Sequence, residues 1–98
     1  MGGYVHIMAN RRRGATYIGV TGDIIRRVYE HREKVMPGHT KRNNIGRLVY
    51  YEVHATMPLA IQREKNLKKW EAAWKYDLIE NNNPHWDDLW DEIVKSPF

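Results

Sequence analysis

Two strand-like runs separated by a short polar turn constrain the fold of this chain more than any other feature. Residues 4–9 and 15–20 are rich in Tyr, Val, Ile and Thr, and the sequence between them is Asn10-Arg11-Arg12-Arg13-Gly14. Such runs predict β-strands, and a short connection that contains glycine predicts that the two strands pair as a hairpin. Because side chains alternate between the faces of a strand, Tyr17 is expected to share a face with Gly19.

A helix is predicted directly after the hairpin, over residues 24–32. The polar residues Thr21-Gly22-Asp23 offer capping side chains ahead of it. Arg27 and His31 follow Asp23 at intervals of four residues, so they form one polar line and point in much the same direction. The buried stripe of this helix is expected to consist of Ile24, Ile25 and Val28. Hairpin and helix together should gather tyrosine, histidine and arginine side chains in one cluster.

The rest of the chain adds a loop, a strand and two helices. Residues 36–46 hold proline, glycine and basic residues without an apolar period, which predicts a basic loop, and residues 47–54 alternate as a third strand. Thr56 is a predicted cap for a long helix whose pattern fades at residues 81–84. A short acidic helix is predicted over residues 86–94. The chain therefore predicts an α+β fold, in one domain over residues 1–98.

The long helix contains one acidic side chain in an unexpected place. Glu64 lies three residues from both Ile61 and Leu67, on or beside the apolar face. An unpaired buried carboxylate is costly, so a cation should neutralise it, either Arg27 or a metal ion. Tryptophans on the predicted helices have apolar neighbours, and Trp74 in particular is expected in the core.

Composition narrows the class of protein. The chain has 98 residues and no cysteine, so neither disulfides nor thiolate zinc sites are available. No stretch approaches the roughly 20 apolar residues of a membrane span, and a cytoplasmic protein is expected. The net charge is +7 over residues 1–50 and −3 over residues 51–98. A basic half attracts phosphate polyanions, although it is equally compatible with a solvated surface.

The residue types in the predicted cluster suit phosphodiester hydrolysis. Arginine grips phosphate oxygens and stays charged, a glutamate can hold a divalent cation, and tyrosine or histidine can orient a water or take its proton. Each residue also has a simpler explanation. Tyr17 can be packing, Arg27 and His31 can belong to a solvated helix face, and Glu64 can form a salt bridge.

Several segments, taken together, resemble the small stand-alone members of the GIY-YIG nuclease superfamily. Tyr4-Val5-His6 stands where the first tripeptide is expected and Tyr17-Ile18-Gly19 where the second is expected. The likeness covers roughly residues 4–90 and includes Gly19-Val20-Thr21, Arg26-Arg27-Val28-Tyr29-Glu30-His31, Pro37-Gly38-His39-Thr40-Lys41-Arg42, Leu48-Val49-Tyr50-Tyr51-Glu52, Ala60-Ile61-Gln62-Arg63-Glu64-Lys65, Leu67-Lys68-Lys69-Trp70 and Asn83-Pro84-His85-Trp86. The resemblance implies a three-stranded antiparallel sheet flanked by helices.

The same resemblance implies roles for particular residues. Tyr17 would orient or activate the attacking water, Arg27 would contact the scissile phosphate, and His31 would assist. Glu64 would bind a single divalent cation, Mg²⁺ or Mn²⁺. Asn83 matches, more weakly, a late asparagine near the site.

Two residues depart from the family pattern at the first tripeptide. Tyr4 replaces its glycine, a change common among the small members. His6 replaces its tyrosine, and an imidazole can still accept a proton at neutral pH, although its shorter reach can equally misplace the water.

The expected function is therefore that of a metal-dependent endonuclease acting on DNA rather than RNA, in repair or recombination. The residues expected to contact nucleic acid are Arg11, Arg12, Arg13, Lys41, Arg42 and Asn83. One alternative is a module of the same fold that binds nucleic acid without cutting it. Another is an accessory protein that binds a repair partner through residues 86–92. A homodimer is also compatible with the sequence.

Overall fold

A three-stranded antiparallel sheet forms the centre of the fold. The computed structural model describes residues 2–34 and 43–95. The strands are β1 (Gly3–Ala9), β2 (Thr16–Thr21) and β3 (Arg47–His54), and their order in the sheet is β2-β1-β3. The expected hairpin, third strand and fold class are confirmed. Of the predicted basic loop, residues 36–42 lie outside the described part of the chain.

Four helices flank the sheet in the described residues: α1 (Ile24–Arg32), α2 (Met57–Lys68), α3 (Ala72–Asn82) and α4 (Trp90–Lys95). Both predicted caps are confirmed. The Asp23 side chain accepts a hydrogen bond from the Arg26 backbone N–H, and Thr56 accepts one from Leu59. None of these helices is long and apolar enough to cross a membrane.

The expected single long helix after Thr56 is wrong, because the chain breaks between α2 and α3. Lys69 ends the first helix, and Glu71 is extended, with φ −63° and ψ 154°. A straight helix over residues 57–82 would be about 39 Å long, whereas the longest dimension of the fold is 32 Å. The break lets both Leu67 and Ile79 enter the same core cluster.

The sheet separates two apolar clusters. One face of β1 packs with α2 and α3 through Val5, Ile7, Ala9, Ala60, Leu67 and Ile79. The other face packs with α1 and α4 through Met8, Ile24, Val28, Leu48 and Ile93. Helices α1 and α2 therefore lie on opposite faces of the sheet.

Two predictions about buried helix residues need correction. Ile25 is 40% exposed, because the inward face of α1 carries Ile24, Val28 and His31 instead. Trp74 is 55% exposed rather than in the core. The inward face of α3 is set by Ile79, from which Trp74 is rotated by about 140° around the helix axis.

The C-terminal helix is shorter than predicted. It begins at Trp90, whereas residues 86–89 precede it without helical structure. Trp86 has a positive φ of 58°, which α-helical backbone does not allow. Its side chain is fully buried in the core between the sheet and α3.

Candidate active site

Three rings from three elements meet beside the sheet. His6 lies in β1, Tyr17 in β2 and His31 in the last turn of α1. The ring centroids of Tyr17 and His31 are 5.0 Å apart, those of His6 and His31 are 6.0 Å apart, and those of His6 and Tyr17 are 6.3 Å apart. The structure therefore brings together one residue from each tripeptide and the helix histidine. The sequence predicted a cluster of these side chains.

The register of the hairpin places His6 directly over a glycine. His6 lies opposite Gly19 in the β1–β2 ladder. A Cβ on Gly19 would lie 2.8 Å from His6 Cε1, 2.9 Å from His6 Nε2 and 3.0 Å from Tyr17 Cε2. The glycine of the second tripeptide is thus the residue that admits the imidazole edge.

Both imidazoles are buried and lack hydrogen-bond partners. His6 is 0% exposed and His31 is 1% exposed, and neither ring nitrogen of either residue has a partner within the described protein. Burial, followed by the charges of His31 and Arg27, lowers the pKa of His6 to about 3. Burial and Arg27 also lower the pKa of His31, against the opposing effect of Glu30. Both rings are therefore neutral at neutral pH.

Arg27 occupies the more open side of the site. Its side chain is 35% exposed, and its Nε lies 3.4 Å from Glu30 Oε1. Glu30 also lies 3.5 Å from Arg26. A cleft of about 490 Å³ adjoins these residues, and its lining is Thr21, Gly22, Asp23, Arg26, Arg27 and Glu30. The cleft offers two guanidinium groups to an anion at the start of α1.

Sequence reasoning missed Glu30. The spacings of three and four residues from Arg27 and Arg26 could have indicated both ion pairs. Because it competes with any incoming anion for Arg27, Glu30 belongs to the site even though it has no role in the pattern of tripeptides.

Glu64 lies on α2, which packs on the sheet face opposite to α1. Its side chain is 14% exposed, and its Oε2 lies 3.4 Å from Lys68 Nζ, one turn further along the same helix. Arg27 is therefore not the cation that neutralises Glu64, because Arg27 pairs with Glu30. Helix geometry favours the Lys68 pair, since residues four positions apart are neighbours on one face.

The available ligands fit one divalent cation that is held by a single carboxylate. The described residues contain no group of three or more His, Asp or Glu side chains that could hold a metal ion. Mg²⁺ commonly uses one or two carboxylates and takes its remaining ligands from water and substrate phosphates. Glu64 alone suits that mode of binding, and the loose contact with Lys68 leaves its carboxylate able to exchange partners.

The three arginines in the hairpin turn differ in their contacts. Arg11 and Arg12 are exposed, whereas Arg13 donates two hydrogen bonds to Glu80, from Nε at 2.9 Å and from Nη2 at 2.8 Å. Lys41 and Arg42, the other basic residues expected to contact nucleic acid, lie outside the described residues.

Asn83 has a structural role in this fold. It is 6% exposed, and its side-chain amide donates to the carbonyls of Val49 and Asp87 and accepts from the Asp87 N–H. These bonds fix the chain between α3 and α4. The weak match to a late asparagine thus falls on a residue whose polar atoms are engaged within the protein.

The sheet order and the helices on both faces of the sheet define an α+β fold. The chain belongs to the GIY-YIG family, since the GIY-YIG catalytic domain matches residues 2–77. This range includes His6, Tyr17, Arg27, His31 and Glu64, and it ends before Asn83.

A solved structure supports the same assignment. The chain is similar to a UPF0213 protein from Bacillus halodurans determined in solution by NMR, with 25% sequence identity and a TM-score of 0.56. The similarity covers 90% of this chain and 93% of the other. A search of curated proteins finds no match to this chain.

Proposed function

We propose that the protein is a metal-dependent endonuclease that hydrolyses phosphodiester bonds in DNA. The observation that carries this proposal is the meeting of Tyr17, His6 and His31 beside the cleft that holds Arg27. Membership of a nuclease family supports it. DNA repair or recombination in the cytoplasm is the setting we propose for this activity.

Arg27 binds the scissile phosphate in this proposal. Among residues 2–34 and 43–95, its guanidinium has one ion pair, with Glu30, at 3.4 Å and in a partly exposed position. Such pairs contribute little to stability, so a phosphate can replace the carboxylate. The guanidinium then stabilises the negative charge that develops on the transferring phosphoryl group.

Tyr17 orients the attacking water. It is only partly buried, whereas the two histidines behind it are closed off from solvent. A phenol can both donate and accept a hydrogen bond, which suits it to hold a water in line with a phosphate. His31 supports Tyr17 from a centroid distance of 5.0 Å.

Glu64 would hold the divalent cation, Mg²⁺ or Mn²⁺. When bound, such a cation lowers the pKa of a water ligand and stabilises negative charge on phosphate oxygens. Glu64 contributes one carboxylate and leaves the other ligand positions to water and substrate. Glu64 lies on α2, across the sheet from α1.

The second candidate is a module that binds nucleic acid without cutting it. The replacement of the first tyrosine by His6 favours the non-catalytic module. His6 has no phenolic oxygen, and its fully buried imidazole cannot contact a water on the solvent side. The reading as an accessory protein has less support. Trp86 is fully buried, Asp88 pairs with Arg32, and Glu92 accepts a hydrogen bond from Tyr51 at 2.7 Å.

A cleavage assay with Glu64→Ala tests the proposal. Supercoiled plasmid and labelled single-stranded, duplex and branched DNA are incubated with Mg²⁺, Mn²⁺ or EDTA. We expect metal-dependent nicking that falls by at least about a hundredfold in the variant, while DNA binding without metal is retained. Glu71→Ala is the matched control, because Glu71 is exposed and makes no side-chain cap hydrogen bond.

Two outcomes contradict the proposal. Cleavage of no substrate, with binding that weakens steeply as salt rises, supports the non-catalytic module. Cleavage that Glu64→Ala leaves unchanged removes Glu64 from the site and with it the proposed position of the metal ion.

A further inference from the structure

The buried imidazoles of His6 and His31 have unmet hydrogen-bonding capacity. Neither residue exposes more than 1% of its surface, and all of their ring nitrogens lack partners in the described protein. A neutral imidazole has one N–H donor and one acceptor nitrogen. The pair therefore has two donors and two acceptors to satisfy. Buried polar groups in native proteins are almost always hydrogen-bonded, so another molecule should supply these bonds.

Water is the partner that fits these atoms best. A buried water typically makes two to four hydrogen bonds to polar groups that the protein leaves unsatisfied. The two imidazole rings are 6.0 Å apart and tilted by 57°, so they are neither stacked nor directly bonded. The Tyr17 ring closes the third side, 5.0 Å from His31 and 6.3 Å from His6. A water here can bond both an imidazole donor and an imidazole acceptor.

We propose that His6 and His31 hold an ordered water beside Tyr17, and that this water links the tyrosine hydroxyl to His31 as a proton acceptor. The proposal rests on the endonuclease function above for its second half, while the ordered water itself does not depend on cleavage. In this arrangement His6 is a positioning residue. It bonds the water, and so fixes which nitrogen of His31 is free to accept a proton.

Each proton in this step has a donor and an acceptor. The attacking water transfers a proton to the phenolic oxygen of Tyr17, while the original hydroxyl proton of Tyr17 passes through the ordered water to His31. The resulting hydroxide forms the new O–P bond, the P–O bond to the leaving group breaks, and the leaving oxygen takes a proton from bulk water. His31 then returns its proton to solvent through Tyr17.

Charge around His31 makes this transfer depend on substrate. Arg27 and Glu30 act on His31 from its own helix, His6 faces it from β1 and Tyr17 from β2. Tyr51 of β3 lies opposite His6 in the ladder. The positive charge of Arg27 lowers the pKa of His31. A phosphate bound to Arg27 offsets that charge, so His31 becomes a stronger base only when substrate is in place.

Nuclear magnetic resonance of the histidine rings tests the ordered water without any cleavage. Long-range proton–nitrogen correlations on labelled protein, from about pH 5 to about pH 8, report the protonation and tautomer of each imidazole. We expect His6 to stay neutral over this range and both rings to be neutral at pH 7, each in one tautomer, with cross-relaxation between their ring protons and water. Exposed His85 is the internal control for an imidazole in direct contact with solvent.

Three results overturn the ordered water. The first is the absence of any water contact at either ring. The second is titration of His6 near its ordinary value. The third is a shift of both rings on addition of one equivalent of Zn²⁺, which would make the pair a metal site instead.

Cleavage kinetics test the proton transfer. His6→Phe keeps a planar ring but removes both nitrogens, and we expect kcat to fall by roughly a hundredfold with little change in KM. His6→Tyr restores a donor and an acceptor and should recover most of the rate. An unchanged kcat and pH profile in a folded His6→Phe protein refutes the positioning role. Absence of cleavage by the wild type refutes both the proposed function and the proton transfer to His31. The resonance experiment still decides whether the ordered water is present.

Discussion

At the scale of single residues, the candidate site depends on a glycine as much as on its polar side chains. Gly19 lies directly opposite His6, and the imidazole edge occupies the space that a Cβ would need. The second tripeptide therefore has a steric reason to end in glycine here. The neutral state of His6 follows from the same close packing, because burial is the main cause of its lowered pKa.

Gly19→Ala tests this steric requirement. The added methyl group would lie 2.8 Å and 2.9 Å from two ring atoms of His6, so the imidazole must move. Overpacking of this kind costs about 1–3 kcal/mol in the free energy of unfolding, which urea denaturation measures. Gly22→Ala is the matched control, since its Cβ would meet only Met57 Cε, at 3.5 Å. Equal stability of the two variants would contradict the packing described here.

At the scale of elements, one carboxylate ties the hairpin to the helix layer. Glu80 of α3 accepts two hydrogen bonds from Arg13 in the hairpin turn and one from the indole Nε1 of the buried Trp86, at 2.8 Å. The Tyr76 hydroxyl donates to the Arg13 carbonyl at 3.2 Å. The turn between β1 and β2 is therefore anchored, and with it the register that sets His6 over Gly19.

The Glu80 anchor predicts a particular dependence of stability on pH. Hydrogen bonds from Arg13 and then Trp86 lower the pKa of Glu80 from 4.5 to about 2. A lowered pKa in the folded state means that the stabilisation is complete above pH 4.5 and is lost as the pH falls towards 2. Glu80→Gln should lower the melting temperature at neutral pH and flatten its decline over this range.

Thermal unfolding at a series of pH values checks this prediction. Asp91→Asn is a suitable control, because Asp91 is exposed and lies on a different helix, α4. Parallel melting curves for Glu80→Gln and the wild type throughout the acid range would mean that the anchor contributes nothing.

The same scale explains which parts of the fold the sequence could predict. The strands and α1 follow from short-range patterns, and β3 has the predicted bounds, from Arg47 to His54. The break before α3 does not follow from such patterns, because no proline or glycine marks it. For the site, the positions of His6 and Tyr17 follow from strand alternation, whereas the partner of Glu64 depends on the packing of α2.

At the scale of the whole molecule, charge is unevenly distributed. The first 50 residues have a net charge of +7 and the remaining residues −3. In the hairpin turn, Arg11 and Arg12 are exposed, while Arg13 is paired with Glu80. We expect the first two arginines to contact the phosphate backbone on either side of the cleavage position, and Arg13 to serve the fold instead.

The double variant Arg11→Gln, Arg12→Gln tests this division. If both arginines contact phosphates, the slope of log binding constant against log salt should become shallower by about 1.8 for duplex DNA. Fluorescence anisotropy at several salt concentrations measures the slope. Lys95→Gln, at the far end of α4, removes an exposed charge as a control. An unchanged slope in the double variant would place the DNA elsewhere.

The separation of α1 and α2 across the sheet also has a consequence during protein synthesis. Residues 3–32 form the hairpin and its following helix, and they already contain both imidazoles, the tyrosine and Arg27. Glu64 joins them only after β3 has paired with the central strand β1 and α2 has packed against the sheet. On the ribosome, a nascent chain thus contains the groups proposed to bind phosphate well before the carboxylate proposed to hold the cation, so the proposed cutting activity would be the last property to appear.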